Sequence, residues 1–264
     1  EVTNNWTAGI LFLDASGGTN SPVQTALNST FSNNNISGNW YGQVVDRQTG
    51  GSLPVPGNNL KNFSSNWYGT TTPVVTTANS AEPGYAAQIP VEFGGSAASP
   101  DGQPDIAGAA SANFDFTPYF NSGTDTDVET IPGRGTFGFQ GSFSNLWVTS
   151  AGAQTGSTGR IQEGNNLAAV SGFVNVLDGI YNEDVEINKA ITVQGQSTAA
   201  IIRGLYAGSA NTVFISASNA VLKNVKVTRD YGVTEAEWYA STKNQGINSA
   251  QGTTGIQMIG LVVS

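Results

Sequence analysis

The chain contains no cysteine and no histidine among its 264 residues. Without cysteine it can form neither a disulfide framework nor a thiolate metal site. Without histidine it lacks the Ser-His-Asp triad, the usual zinc sites and the commonest general base. These two absences exclude large classes of hydrolytic and metal-dependent enzymes.

Charge is also scarce, and most of it is negative. Charged residues make up 11% of the chain, and the net charge is −9 with only 10 Lys and Arg. Binding to phosphate groups needs clustered cations, so we expect no nucleic-acid or anionic-membrane partner. No apolar run reaches the roughly 18 residues of a transmembrane helix. No signal sequence opens the chain, so we expect either that one was removed or that the chain is a piece of a longer protein.

The composition is nevertheless that of a folded protein. Hydrophobic residues make up 38% of the chain, which has 33 Gly, 12 Phe, 8 Tyr and 5 Trp, whereas disordered acidic segments carry far more charge and fewer aromatics. A cysteine-free, weakly charged chain rich in Asn, Gly, Ser and Thr is typical of secreted or surface-displayed proteins. We therefore expect an extracellular or cell-surface location.

Short runs of alternating apolar and polar residues dominate the C-terminal half. The stretch 172–196, GFVNVLDGIYNEDVEINKAITVQGQ, places its valines and isoleucines in pairs two residues apart, which is the period of a half-buried strand. Its breaks at Gly179, Asn188 and Gly195 are irregular, unlike the short turns of hairpins. This pattern favours a parallel solenoid, with an antiparallel sandwich as the alternative.

Three regions differ in pattern. We expect solenoid coils over 1–70, a Pro- and Gly-rich connector with short strands over 71–158, and a helix with further coils over 159–264. The helix is predicted at 159–170, with a weaker helical candidate at 234–242.

A four-residue element recurs in the first region. Asn39-Trp40-Tyr41-Gly42 returns as Asn66-Trp67-Tyr68-Gly69, and such recurrence is typical of repeat architectures. Asn side chains at bends can form amide ladders along a stack. The four aromatic rings, Trp40, Tyr41, Trp67 and Tyr68, are candidates for stacking on sugars, or alternatively for packing within the fold.

The opening coils resemble those of the pectate-lyase-like right-handed parallel β-helix superfamily, of the NosD-like and tandem surface-repeat type. The matching residues are Val176, Gly179, Tyr181, Glu183, Val185, Ile187, Lys189, Ile191, Thr192 and Gly195. The resemblance implies an all-β fold with right-handed parallel β-helix coils at both ends, namely closing coils over 1–70 and a capping helix with opening coils over 159–264. Between them it implies an irregular connector of loops and short strands over 71–158. It implies little about chemistry, because the superfamily includes lyases, esterases, epimerases, adhesins and structural stalks.

No residue is assigned a catalytic or cofactor-binding role. The charged residues near the opening coils fit no catalytic motif of the superfamily, and they are Asp178, Glu183, Asp184, Glu186, Arg203, Arg229 and Asp230. One loop offers alternating oxygen ligands that could bind Ca²⁺, namely those of Asn121, Asp125, Asp127 and Glu129. A solvated acidic loop is the alternative.

Coils at both ends of the chain would leave apolar strand edges open to association. The candidate association residues are Ile10, Leu11, Phe12 and Leu13 at one end, and Ile256, Met258, Ile259, Leu261 and Val262 at the other. The predicted partners are neighbouring copies bound head-to-tail, or adjacent repeats of a longer chain. We therefore expect a non-enzymatic structural unit of a filament, surface layer, stalk or adhesin. The alternative is a carbohydrate-active enzyme, such as a polysaccharide lyase or esterase, or a glycan-binding module.

Overall fold

The computed structural model describes residues 1–5, 8–13, 26, 28–39, 42–47, 60–75, 105–108, 113–127, 138–206, 208–229 and 245–264. Within these ranges the chain is all-β apart from one short α-helix. It divides into two compact units, the first comprising 1–142 with 151–155 and the second comprising 143–150 with 156–264.

The first unit is built from short parallel strands. These are β1 (Val2–Thr3), β2 (Ile10–Leu13), β3 (Asn34–Ser37), β4 (Val44–Arg47), β5 (Lys61–Asn62), β6 (Asn66–Trp67), β7 (Ile106–Gly108), β8 (Phe114–Asp115) and β9 (Tyr119–Phe120). They pair in the orders β1-β3-β6, β2-β4-β7 and β5-β8, and each of these pairings is parallel.

Aromatic rings fill the core of the first unit. Phe31 and Phe63 stack with their ring centroids 4.4 Å apart, and the ring centroid of Phe114 lies 4.8 Å from that of Phe63. Phe12 meets Phe114 at 5.3 Å. Such rings bury large apolar areas, which allows strands of only two to four residues to form a stable core.

The second unit contains longer strands and the helix. Its elements are β10 (Asn145–Val148), α1 (Arg160–Leu167), β11 (Phe173–Val176), β12 (Gly179–Asn182), β13 (Val185–Ile187), β14 (Thr192–Gly195), β15 (Ala200–Gly204), β16 (Asn211–Ile215), β17 (Val221–Lys223), β18 (Lys226–Arg229), β19 (Gln245–Ser249), β20 (Gln257–Ile259) and β21 (Val262–Val263). Three sheets result, with the orders β10-β11-β14-β17-β20, β12-β15-β18-β21 and β13-β16-β19.

Pairing in the second unit is parallel and in register. Val174 of β11 pairs with Val193 of β14, and Ile187 of β13 pairs with Ile215 of β16. All four side chains are buried. Strands β13 and β14 therefore bury alternate residues, as the period within 172–196 predicts. Successive strands pair with later parts of the chain rather than folding back as hairpins.

Helix α1 covers strands β10 and β11. It buries Ile161, Gly164 and Asn165. A Cβ at position 164 would lie 2.9 Å from Val174 Cγ1 and 3.0 Å from Val148 Cγ2, so glycine is needed for this close approach. The helix predicted at 159–170 is confirmed, with slightly narrower bounds because Ala168 ends it. The weaker candidate at 234–242 lies outside the described residues.

The two units do not follow the region boundaries expected at 70 and 158. Strands β7 and β8 lie within the expected connector, yet they pair with β4 and β5 in the first unit. Strand β10, also from the connector, pairs with β11 in the second unit. Low charge and frequent Pro and Gly suggested an irregular connector, but two- to four-residue strands are too short to show a clear period.

Within the described part of the chain, no helix has the length and apolarity needed to cross a membrane.

Candidate functional site

One end of the second unit presents an open apolar face. Strands β19, β20 and β21 are the last strands of their sheets within the described residues, so one backbone edge of each has no neighbouring strand there. An uncovered strand edge is a template for further pairing. We call the side chains of Ile247, Met258 and Val263 on this end the terminal patch.

Met258 ends a row of aligned inward-facing residues. We define this apolar row as Leu146, Val174, Val193, Leu222 and Met258, which pair in that order across five strands. The first four are fully buried, whereas Met258 is 47% exposed. The inward position is therefore covered by the next strand at every step except the last.

A second row ends in the same way. Tyr181, Ile202 and Val227 are buried and pair in sequence, and Val227 pairs with Val263, which is 57% exposed. In the third sheet, buried Val213 pairs with half-buried Ile247. The three members of the terminal patch thus each extend a buried column of the core.

The structure separates the residues expected to associate at this end into two groups. Met258 faces the core column, but Ile259 and Val262 pair with Lys223 and Lys226 and lie exposed on the outer faces of their sheets. Ile256 and Leu261 are half-buried. Sequence reasoning missed Ile247 and Val263. Ile247 pairs with buried Val213, and Val263 pairs with buried Val227, so the register of the parallel strands is the signal that identifies them.

The N-terminal association candidates lie on strand β2, which is the first strand of its sheet. Leu11 is exposed and pairs with buried Val45, and Ile10 is half-buried. Phe12 instead points into the aromatic core beside Phe31 and Phe63. The backbone of Leu13 belongs to β2, and its side chain is outside the described residues.

The recurring Asn-Trp-Tyr-Gly element has a structural role at both asparagines. The buried Asn66 amide donates to the carbonyls of Phe31 and Phe63 at 2.7 Å, and its oxygen accepts from the backbone of Asn34 at 2.9 Å. Asn39, also buried, donates to the carbonyl of Val2 and accepts from Asn5. A third ladder in the second unit joins Asn145, Asn175 and Gln194. Amide ladders are therefore present, as the sequence suggested.

The aromatic rings of this element do not form a sugar platform as a set. Tyr68 is fully buried, its hydroxyl donates to the carbonyl of Phe63, and burial raises its pKa far above the usual range. This corrects the expectation that Tyr68 could stack on a glycan. Trp67 is half-buried against Gly123, where an added Cβ would lie 2.5 Å from the indole Cδ1. Trp40 and Tyr41 lie outside the described residues.

The acidic loop uses its carboxylate internally. Asp125 Oδ1 accepts hydrogen bonds from the backbone N–H groups of Asp127 at 3.0 Å and Gln140 at 3.2 Å, which fixes a turn. Asn121 is half-buried in the same loop, and Glu129 lies outside the described residues. No three acidic side chains in the described ranges come together as a metal site would require.

An open groove lies on the outer surface of the second unit. It has a volume of about 350 Å³ and is lined by Gln162, Asp184, Glu186, Ser209, Asn211 and Phe214. The carboxylate of Asp184 accepts from the backbone of Leu205 and Ser209, and Glu186 accepts from the Ser216 hydroxyl. The groove therefore combines fixed carboxylates with one partly exposed aromatic ring.

Two charged residues of the superfamily-like pattern stabilise helix α1. The buried carboxylate of Glu183 accepts from the backbone N–H groups of Ile161 and Gln162, both at 3.0 Å. The Lys189 ammonium donates to the carbonyls of Asn166 at 2.6 Å and Ala168 at 2.8 Å. Opposite charges thus occupy the helix ends that each favours, and burial raises the pKa of Glu183.

No protein-family model matches the chain, and neither a curated protein nor a solved structure matches it. The resemblance to pectate-lyase-like proteins therefore rests on the residue patterns of the sequence alone.

Proposed function

We propose that the chain is a non-enzymatic structural unit of an extracellular filament, surface layer, stalk or adhesin. Its parallel strands form successive coils of a right-handed β-helix, as the superfamily-like pattern implies. The terminal patch is covered by a further layer of strands, supplied by a neighbouring copy or by an adjacent repeat. The low charge and the lack of cysteine support an exported location.

The apolar row is the observation that carries this proposal. Four aligned positions are buried by the next strand, and the fifth, Met258, is left about half exposed. Burying such side chains stabilises an interface by roughly 25 cal/mol per Å² of apolar surface. A strand layer with the same spacing would extend each column and pair the free backbone edge at once.

The proposed contact is head-to-tail. The edge strands β1 and β2 of one copy would meet β19, β20 and β21 of the next, with Leu11 supplying an exposed apolar side chain on the receiving side. Because the two surfaces differ, the contact is heterologous, and it propagates unless the rotation between copies closes a ring.

Negative-stain microscopy of the purified chain over a concentration series tests the proposal. We expect filaments, or rings if the rotation closes, and oriented filaments should diffract at about 4.7–4.9 Å along their axis, the distance between hydrogen-bonded strands. Compact single particles at all concentrations would contradict it.

The groove supports glycan binding as a second candidate function. Phe214 is partly exposed between the carboxylates of Asp184 and Glu186 and amide groups, and a ring beside fixed hydrogen-bond acceptors suits a sugar. Calorimetric titration with acidic and neutral oligosaccharides tests this candidate. Binding that is lost in Phe214→Ala, but retained in Phe173→Ala on a neighbouring sheet, would support it.

A further inference from the structure

The core of the first unit contains a lysine, an aspartate and an asparagine that are all removed from solvent. Lys61 and Asp46 are fully buried, and Asn113 is 4% exposed. Charged side chains are rarely buried to this degree unless they are paired or serve a specific chemistry. The three come from separate parts of the chain, since Asp46 lies on β4, Lys61 on β5, and Asn113 immediately before β8.

The pairing of the strands places Lys61 beside the segment that carries Asn113, and Asn113 contacts Asp46. Lys61 pairs with Phe114 across β5 and β8, and Asn113 is the residue directly before Phe114. The Asn113 amide nitrogen donates to Asp46 Oδ2 at 2.8 Å. Asp46 therefore contacts the nitrogen that would be the leaving group if the carboxamide carbon were attacked.

Aromatic rings surround the amine. Lys61 Nζ lies 4.8 Å from the ring centroid of Phe12 and 5.2 Å from that of Phe114. Burial lowers the pKa of Lys61, and the charge of Asp46 opposes this effect. Such a low-dielectric site disfavours the charged ammonium form of the lysine. The neutral amine that results is a nucleophile.

We propose that Lys61 and Asn113 become joined by an intramolecular isopeptide bond, with Asp46 as the proton-transfer group. The Lys61 nitrogen attacks Cγ of Asn113 and forms a tetrahedral intermediate. The Asp46 carboxylate accepts the extra proton of the attacking nitrogen and passes it to the amide nitrogen. The C–N bond to that nitrogen then breaks, and ammonia leaves. Atoms and charge balance without an oxidant or a cofactor.

The bond would connect β5 to the residue before β8 in a chain that has no disulfide. A covalent link between distant residues reduces the conformational freedom of the unfolded chain, and here it would also replace a buried amine with an amide. It would strengthen the first unit against unfolding and pulling whatever the protein's role, so the inference does not depend on the proposed function.

Intact mass spectrometry of the denatured full-length chain tests the inference. We expect a mass lower than that of the sequence by one ammonia, no tryptic cleavage after Lys61, and a branched peptide that joins the segments around Lys61 and Asn113. A mass equal to that of the sequence, with normal cleavage at Lys61, would overturn the proposal. A loss of ammonia that maps to another residue, such as a cyclised asparagine, would overturn it as well.

Three variants separate the roles of the residues. Lys61→Arg and Asn113→Ala should each show the mass of their own sequence. Asp46→Ala should also show the mass of its own sequence, although it keeps both reacting groups. A cross-linked Asp46→Ala chain would contradict the role of the aspartate in proton transfer. The mass of the unsubstituted chain tests the main claim, so the proposal can be confirmed or rejected even if a variant does not fold.

Discussion

The carboxylate of Glu183 accepts a hydrogen bond from the backbone N–H of Ile161, on the first turn of α1. The helix has no side-chain cap of its own, since Gly159 stands at its N-cap. A Cβ at position 159 would lie 2.2 Å from Glu183 Oε2, so the glycine makes room for a cap from outside the helix. The turn between β12 and β13 therefore fixes α1 in place.

Removing this cap should destabilise the second unit. We expect Glu183→Ala to lower the free energy of unfolding by about 1–3 kcal/mol, because two backbone N–H groups lose their acceptor. Glu186→Ala is the control, since Glu186 is exposed and accepts from a serine hydroxyl. Chemical denaturation measures both, and an equal loss in the two variants would contradict the capping role.

The same carboxyl makes stability depend on pH. Because burial raises the pKa of Glu183 above its ordinary value of 4.5, the folded chain binds a proton at this carboxyl more tightly than the unfolded chain does. Stability from this group is therefore complete below pH 4.5 and is lost as the pH rises through the folded pKa. The unfolding free energy of the native chain, minus that of Glu183→Gln, should increase as the pH falls towards 4.5. A difference that stays constant or decreases would contradict this assignment.

Lys189 should stabilise the other end of the helix. Replacing it with Met removes the ammonium that binds the last carbonyls of α1, and we expect a loss of about 0.5–1 kcal/mol at low salt. Lys223→Met removes the same charge from the half-buried outer face of β17 and should cost less. Thermal unfolding at low and high salt compares them, and salt should reduce only the Lys189 effect. Equal costs for both variants would argue against capping.

The apolar row should dominate the stability of the second unit. Leu222→Ala should cost about 2–5 kcal/mol, because the site is fully buried between Val193 and Met258 and leaves a cavity. Ile180→Ala on β12 removes a similar volume from an exposed position and should cost less than about 1 kcal/mol. Denaturant titration that gave similar values for both would contradict the stacked core.

The asparagine ladder of the first unit offers a separate test. Asn66→Ala leaves two carbonyls and one backbone N–H without this buried partner, for an expected loss of about 2–4 kcal/mol. Asn182→Ala, at an exposed strand position, is the control and should change stability by about 0.5 kcal/mol or less. Proteolysis of the folded state and chemical denaturation would both report the difference, and matching results for the two variants would contradict the ladder's role.

The sequence predicts the second unit better than the first, for a physical reason. Strand β15 has five residues, which is enough to show the two-residue period, and its buried Ala200 and Ile202 confirm it. The strands of the first unit have two to four residues, too few for a period. Their pairing depends on aromatic contacts between distant segments, which no local pattern reveals.

The candidate sites likewise depend on contacts between distant segments, which limits what the sequence can predict about them. Alternation indicates that Met258 faces inward, but its exposure depends on whether another strand covers it. The caps from Glu183 and Lys189 depend on where α1 lies relative to a turn about twenty residues later. The burial of Lys61 beside Asp46 breaks the usual preference of charged residues for the surface, so sequence reasoning passed over both.

Sedimentation velocity over a wide concentration range tests the central claim most directly. The native chain should associate, and its sedimentation coefficient should rise with concentration. A double variant, Met258→Glu with Val263→Glu, should remain monomeric because it places two charges on the terminal patch. Ile259→Glu, on the outer face, should associate like the native chain. A native chain that stays monomeric at every concentration, or a double variant that associates equally well, would contradict the account.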